Sequence, residues 1–293
     1  MKKLILLLVP VFIHGSNFVF SNNALKSAWH AAIKKADELG RAGTLVICDK
    51  NGELVFIYRQ QGAFPSTKDF SEAKAKTVAR LGIPTNAWQT CTSSGACNAT
   101  TKKLTTKPNV PYPGGFPITV KSRGSSEFVG SIAFGSTDKK LDANVGGTHP
   151  NADVEIAQAA LNALKNPKNN VSFVSTANDP NQDIPQKLIH SPNFLITKWS
   201  NASNANGAVV VADKHGAIVF LARTEKGSAT DTMSAIKKAQ TVAKLGFSTE
   251  ELASTSVPSP IKDALIKGGC TDKIGGTVIN EGGTKFLGAL GIS

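Results

Sequence analysis

The chain repeats itself, and this constrains its fold more than any other feature. Residues 45–85 align without gaps on residues 209–249, and fifteen of the 41 positions are identical. The matches include Asp49/Asp213, Lys50/Lys214, Gly52/Gly216, Val55/Val219, Phe56/Phe220 and Arg59/Arg223. A second block pairs Lys74-Ala75 with Lys238-Ala239, Thr77-Val78-Ala79 with Thr241-Val242-Ala243, and Leu81-Gly82 with Leu245-Gly246. Farther on, Gly114-Gly115 resembles Gly275-Gly276, and Gly130 resembles Gly288. The offset of 164 residues in the first block far exceeds a solenoid unit of roughly 20–50 residues. The chain is therefore a duplicated domain, and its 293 residues suit two domains.

Each copy begins with the same local plan. Leu45–Cys48 is a short β-rich run, Asp49–Gly52 a turn and Leu54–Tyr58 a return strand. Asn51-Gly52 predicts a type I′ hairpin, whose two central residues take positive φ. Asp213-Lys214-His215-Gly216 repeats the turn, and a β-carbon at Gly52 would strain it. A helix is predicted over Ser71–Leu81, with Asp69 as its cap, Glu72 completing a capping box and Gly82 as its stop. Its small apolar residues Ala75, Val78 and Ala79, with Leu81, allow close approach to a sheet. Residues 86–112 are a polar excursion, after which Ile118–Val120 and Val129–Phe134 are two further strands.

Two amphipathic helices flank copy one. Ala24–Leu39 carries Leu25, Ala28, Trp29, Ala32, Ile33 and Ala36 on one stripe and stops at Gly40. Asp153–Leu164 carries Ile156, Ala157, Ala160, Leu161 and Leu164. Copy one thus reads helix, hairpin, helix, hairpin, helix: an α+β unit, an antiparallel sheet with helices packed on it. It spans 22–165. Residues 166–192, rich in Asn, Asp and Pro, are a predicted linker, and 193–293 form a second, truncated copy. Copy two shows only a short polar lead-in before Val209. Its sheet should lack one or both flanking helices and lean on copy one, or on another chain, to cover the exposed face.

Residues 1–21 stand apart. Lys2 and Lys3 precede an apolar run, Leu4–Ile13, too short to span a bilayer, and Val19 and Ser21 occupy the −3 and −1 positions of a cleavage site. This predicts a secretory signal peptide and a secreted or periplasmic protein; no transmembrane segment is predicted elsewhere. Cleavage would lower the formal charge from +12 to +10 (12 − 2, for Lys2 and Lys3). A basic exported protein favours anionic partners. The lysines are scattered, with no arginine stripe or interleaved aromatics, which argues against nucleic acid. Export permits disulfides. Cys91 and Cys97 flank a polar run able to turn back on itself, so a local disulfide is predicted rather than a metal site. Cys48 reads as a buried free thiol; Cys270 has no evident partner, and a Cys48–Cys270 bond stays open.

Several stretches of copy one resemble the HbpS/GlcG-like family of haem-binding, or haem-degrading, domains. They are VICDKNGELVFIYR, SEAKAKTVARLG, PGGFPI, VGSIAFG and ADVEIAQAAL, in that order. The resemblance covers about 24–165 and, in trimmed form, copy two. It implies a profilin-like α-β-α sandwich, homo-oligomers in several members and a small-molecule ligand, haem or a related tetrapyrrole. It brings no agreed catalytic residues. The duplication, the cysteine loop and residues 136–152 after the last strand of copy one depart from the single-domain pattern.

The candidate ligand-binding residues are Arg59, Lys74, Thr77, Tyr112, Gly114, Gly115, Phe116 and His149. Gly114-Gly115-Phe116-Pro117 could bring backbone close to a ligand, with Tyr112 and Phe116 stacking on a flat ring, or could be a plain tight turn. Arg59 and Lys74 could meet propionates, or Arg59 could brace helix on sheet while Lys74 is solvated. Thr77 could serve a ligand or its own helix carbonyl. His149, in a glycine-rich loop, and His30, beside Trp29, are the possible haem-iron ligands. Asp153 reads as a helix cap, and His190 and His215 have no assigned role. No zinc-protease motif, nucleophile elbow or phosphate loop is present. The reading is a binding protein; the alternatives are an enzyme acting on haem or a small organic acid in the same pocket, and a purely structural module.

Overall fold

The computed structural model describes residues 20–87, 91, 95, 97–122, 125–138, 151–167, 188–203, 207–254, 256–281 and 285–293. Copy one runs α1 (Asn22–Glu38), β1 (Arg41–Asp49), β2 (Leu54–Arg59), α2 (Ser66–Leu81), a short α3 (Ala99–Lys102), β3 (Gly115–Ser122), β4 (Ser125–Asp138) and α4 (Ala152–Lys165). Copy two runs α5 (Pro192–Ser203), β5 (Ala208–Asp213), β6 (Ile218–Arg223), α6 (Ala229–Leu245), α7 (Thr249–Ala253), α8 (Ser259–Lys267), β7 (Gly276–Glu281) and β8 (Lys285–Ile292).

The two copies build one sheet. Its strand order is β3-β4-β1-β2-β6-β5-β8-β7, antiparallel throughout. The seam is β2 against β6, with Phe56 opposite Ala222, Ile57 opposite Leu221 and Tyr58 opposite Phe220. Ile57 and Leu221 occupy the same place in the repeat, so an approximate two-fold axis passes through that pair. The seam therefore has the geometry of an isologous dimer contact within one chain. Two ion pairs obey the same axis: Arg59 donates to Asp213 at 2.6 Å, and Arg223 donates to Asp49 at 2.7 Å. Both seam strands are apolar on both faces, as central strands must be.

Alternation along the strands divides the core. On one face, Leu45, Ile47, Phe56, Tyr58, Phe134, Val209, Val211 and Phe220 meet α1, α4 and α5. An aromatic cluster straddles the seam there. Trp29 lies 5.7 Å from Phe56 and 5.5 Å from Phe220, ring centre to ring centre, and Trp199 of α5 lies 5.9 and 6.0 Å from the same rings. On the other face, Val46, Ile57, Val210 and Leu221 meet α2 and α6, which present Ala75, Ala235 and Ala239. The small side chains let these helices sit close to the sheet.

Several sequence expectations need correction. The hairpins have three-residue loops, not type I′ turns: Gly52 N–H donates to Asp49 O and Asp49 N–H to Glu53 O, with Gly52 at φ 81°. Asp49 Oδ1 accepts from Asn51 and Glu53 N–H, which stabilises the longer turn, and Asp213 does the same in copy two. Helix α2 begins at Ser66, five residues before the predicted start, next to Pro65 and without a side-chain cap. Asp69 and Glu72 are therefore not its capping box; both pair with Lys68, and Glu72 also pairs with Lys76. In copy two the box exists, made by Ser228 and Asp231. Copy two also has a flanking helix, α5, where a polar lead-in was expected; Leu195 and Trp199, one turn apart, bury it in the shared core. The cover expected from copy one is that common core.

Cys91 and Cys97 are disulfide-bonded, while Cys48 and Cys270 are buried free thiols and do not bond to each other. The segment expected to be a signal peptide lies almost wholly outside the described residues. Of its last two residues, Phe20 packs on the core and Ser21 caps α1 by accepting from Ala24 N–H. No helix among the described residues is long and apolar enough to cross a membrane.

Candidate functional site

The larger of two clefts among the described residues lies at the end of copy one, where α2, the 110–113 loop, the end of β4 and the start of α4 converge. It is a cleft of about 560 Å³ lined by Thr67, Phe70, Lys74, Tyr112, Ser136 and Asp153, among others. Thr67, Phe70 and Lys74 share one face of α2 because they are spaced three and four residues apart. Thr67 and Ser71 tie that face to β1: their hydroxyls meet Thr44 Oγ1 at 2.7 Å and Thr44 O at 2.8 Å.

Lys74 is buried at the back of the cleft. Its Nζ donates to Phe134 O at 2.9 Å and to Asp153 Oδ2 at 2.7 Å. Asp153 also accepts from Ser136 Oγ at 2.5 Å. It therefore serves as the counter-charge of Lys74; the N-cap position of α4 is Asn151. Gly114, at φ 102°, makes this possible, since a β-carbon there would come within 2.8 Å of both Asp153 Cβ and Phe134 O. The glycine pair thus brings backbone close to the protein itself.

The loop carrying Tyr112 is held from below. Thr77 Oγ1 accepts from Val110 N–H at 3.1 Å, Arg80 donates to Asn109 Oδ1 and Pro108 O, and Thr85 Oγ1 accepts from Gly115 N–H. The Thr77 hydroxyl is buried and holds the loop through Val110. The Tyr112 ring stays exposed (55%), as does Phe70 (53%), and the two meet edge to face at 6.2 Å. Such an apolar pair left in water at the mouth of a cleft offers ring faces to a ligand.

Of the predicted residues that are described, the structure brings Lys74 and Tyr112 into this lining, with Gly114 packed behind. Arg59 is fully engaged at the seam: it donates to Ile218 O, Ala63 O and Asp213, and does not reach the cleft. Phe116 packs on the core instead of stacking at the opening. Gly115 sits against Thr85 and Val78. His30, on α1, does not line the cleft. His149 lies outside the described residues.

Sequence reasoning missed Phe70 and Ser136 as lining, and it missed His190. That imidazole is buried behind β2, with Nδ1 3.0 Å from Arg59 O, and Tyr58 donates its hydroxyl to His190 O. Burial, and then the Arg59 charge, pull its pKa down to about 4. Phe70 stands four residues before Lys74, so helical spacing was a usable signal for it; His190 gave none. Cys48 is no nucleophile, because burial, aided by Glu72, pushes its thiol up to about 12. A smaller cleft of about 230 Å³ at the seam holds Phe20 and the Asp49–Arg223 pair.

A single antiparallel sheet with helices on both faces and a ring-mouthed cleft at the end of copy one defines a tandem α+β protein. The family model described as haem degrading protein HbpS-like matches residues 20–162 and 194–293, and the chain belongs to that family. No curated protein matches. Similar solved structures include a complex of PduOC with haem, 20% identical, covering 49% of this chain and 93% of that one at a TM-score of 0.38. Klebsiella pneumoniae protein ORFY is 23% identical, covering 50% and 90%, also at 0.38. HbpS is 25% identical, covering 48% and 86%, at 0.36.

Proposed function

We propose that this protein binds haem or a related tetrapyrrole, and that the cleft of copy one holds it. The observation that carries the reading is the exposed Phe70–Tyr112 pair at the mouth of a cleft backed by Lys74, in a chain of the haem degrading HbpS-like family. The charged lining residues are Arg41, Lys74 and Asp153, two cations and one carboxylate, which suits a ligand bearing propionates. Tyr112 and Phe70 would hold the macrocycle by stacking, and Arg41 would face its acidic edge. His149, on the segment between β4 and α4, is the residue proposed to hold the iron. Bound haem would supply the iron centre and its visible absorption. We further propose that the protein is exported, on the strength of the charged and apolar pattern of residues 1–21.

Titration of purified protein with haemin tests this. One equivalent per chain should develop a saturable Soret band. The F70A/Y112A double variant should bind roughly tenfold more weakly, the loss expected for two stacking contacts. His149→Ala should shift the band. Copy two has Ser234 and Lys273 at the positions of Phe70 and Tyr112, so a second equivalent should not bind. No Soret band at low micromolar haemin would sink the proposal. Decay of the band under reductant, with release of iron, would make the protein an enzyme.

A further inference from the structure

The smaller cleft, at the seam, encloses about 230 Å³ and shares no lining residue with the cleft at the end of copy one. Both copies build it, and its lining is of three kinds. Val55 and Val129 form an apolar wall, beside the Phe20 ring that packs on Gly130. Lys50 and Arg223 bring positive charge. Glu127 of β4 and Glu225, just after β6, bring carboxylates in addition to Asp49, which Arg223 already holds.

Arg223 has donors to spare. Its side chain is 12% exposed, and its Nη2 reaches Asp49. A guanidinium carries five N–H donors. Among the described residues, Nε and Nη1 of Arg223 meet no acceptor, although the residue lines the cavity. Its repeat equivalent Arg59 gives Nε to Ile218 O and Nη1 to Ala63 O. A largely buried guanidinium beside open space calls for an acceptor, and a carboxylate matches its fork. Glu127 and Glu225 are exposed and join no ion pair among the described residues; Glu225 Oε1 accepts from Asn22 N–H at 3.4 Å. Across the seam axis their counterparts are Lys285 and Gln61, because Gly130 and Gly288 sit opposite the equivalent Asp49 and Asp213. The two sides of the seam thus share a backbone plan, and only one of them sets two further carboxylates beside an arginine with open donors.

We propose that the seam cleft binds a small zwitterion, an α-amino acid with an apolar side chain. Arg223 and Lys50 receive its carboxylate, Glu127 and Glu225 receive its ammonium, and its side chain lies on Val55 and Val129. All six residues lie beyond residue 21, so the set survives cleavage of the expected signal peptide. The site is separate from the haem cleft and does not depend on it.

Leucine, followed by NMR on the intact chain, tests it. Two controls each lack one of its charges: isocaproate has no ammonium and isoamylamine no carboxylate. Leucine should cause saturable shifts at Asn51, Thr224 and Gly227, which line the cleft. Each control should bind about tenfold more weakly, as loss of a charge-assisted hydrogen bond requires. The two exposed glutamates changed together, E127Q/E225Q, should lower leucine affinity by about tenfold and leave isocaproate binding as it was. Absence of leucine shifts in the folded wild-type chain through the millimolar range would overturn the proposal. So would a control that binds as tightly as leucine, or a double variant that keeps full leucine affinity.

Discussion

Copy one and copy two agree closely at the seam and differ at their far ends. At the seam, each arginine reaches the other copy's turn aspartate, and each phenylalanine packs between the same two tryptophans. At the far end of copy one, α4 closes over the sheet and delivers Asp153 to Lys74. At the far end of copy two the equivalent Lys238 is described with a carbonyl partner, Ile292 O. The two copies thus share what holds the halves together and differ at their far ends. Shared burial couples the seam residues of both copies, whereas each far end answers only to its own neighbours.

The comparison can be tested by breaking matched residues. The largest effect belongs to the aromatic seam. Phe56→Ala and Phe220→Ala should each cost about 3–5 kcal/mol, similar in size, with a single urea transition in both variants. Two transitions would show that the copies unfold separately and would break the picture of a shared core.

Next come the arginines, where the approximate symmetry fails. Arg59 has three acceptors, whereas Arg223 is described with one, Asp49. Arg59→Ala should cost about 3–5 kcal/mol, because it removes three hydrogen bonds made by one buried guanidinium and takes the donor from the carbonyls of Ile218 and Ala63. Arg223→Ala should cost roughly 1–2 kcal/mol, nearer the value of one charged hydrogen bond. Equal losses in denaturant titrations would refute the asymmetry.

His190 marks copy one alone, since Ala222 replaces Tyr58 in copy two. Its folded pKa is depressed to about 4. The unfolded chain therefore takes up the proton first, near pH 6.5. Stability contributed by the neutral ring is fully present above that pH and is lost as pH falls toward 4. The full loss is on the order of 3 kcal/mol. Urea midpoints of wild type and His190→Gln, compared at pH 7 and pH 4.5, should show the larger drop in the wild type.

The smallest effect should be the same in both copies. Thr77→Val and Thr241→Val each remove the acceptor for one buried loop N–H, of Val110 and Thr271 respectively. Each should cost about 1 kcal/mol, with unchanged spectra at the other copy.

Much of the fold was legible because it is local. The stripes of α1 and α4, the apolar runs of β1 and β2 and the glycine after α2 are written at the spacings their elements require. Helix α5 escaped because it is short and set in Asn-rich sequence, although Leu195 and Trp199 stand four residues apart. The start of α2 escaped because Pro65 opens the helix without a capping side chain. At the site, Lys74 and Tyr112 were legible from the repeat and the glycine turn. Asp153 was seen as a cap, because its partner lies 79 residues away.

The sequence by itself determined the duplication, the elements of each copy and the faces they bury, since these follow from periodicity and backbone preference over a few residues. Tertiary structure alone decided that β2 pairs with β6 to make one sheet. It also turned Arg59 to the seam instead of the cleft, and set Lys74 against the Asp153 carboxylate and Lys238 against the Ile292 carbonyl. Those outcomes depend on which distant groups meet, and a buried charge or strand edge is satisfied by whatever the folded chain brings within hydrogen-bond reach.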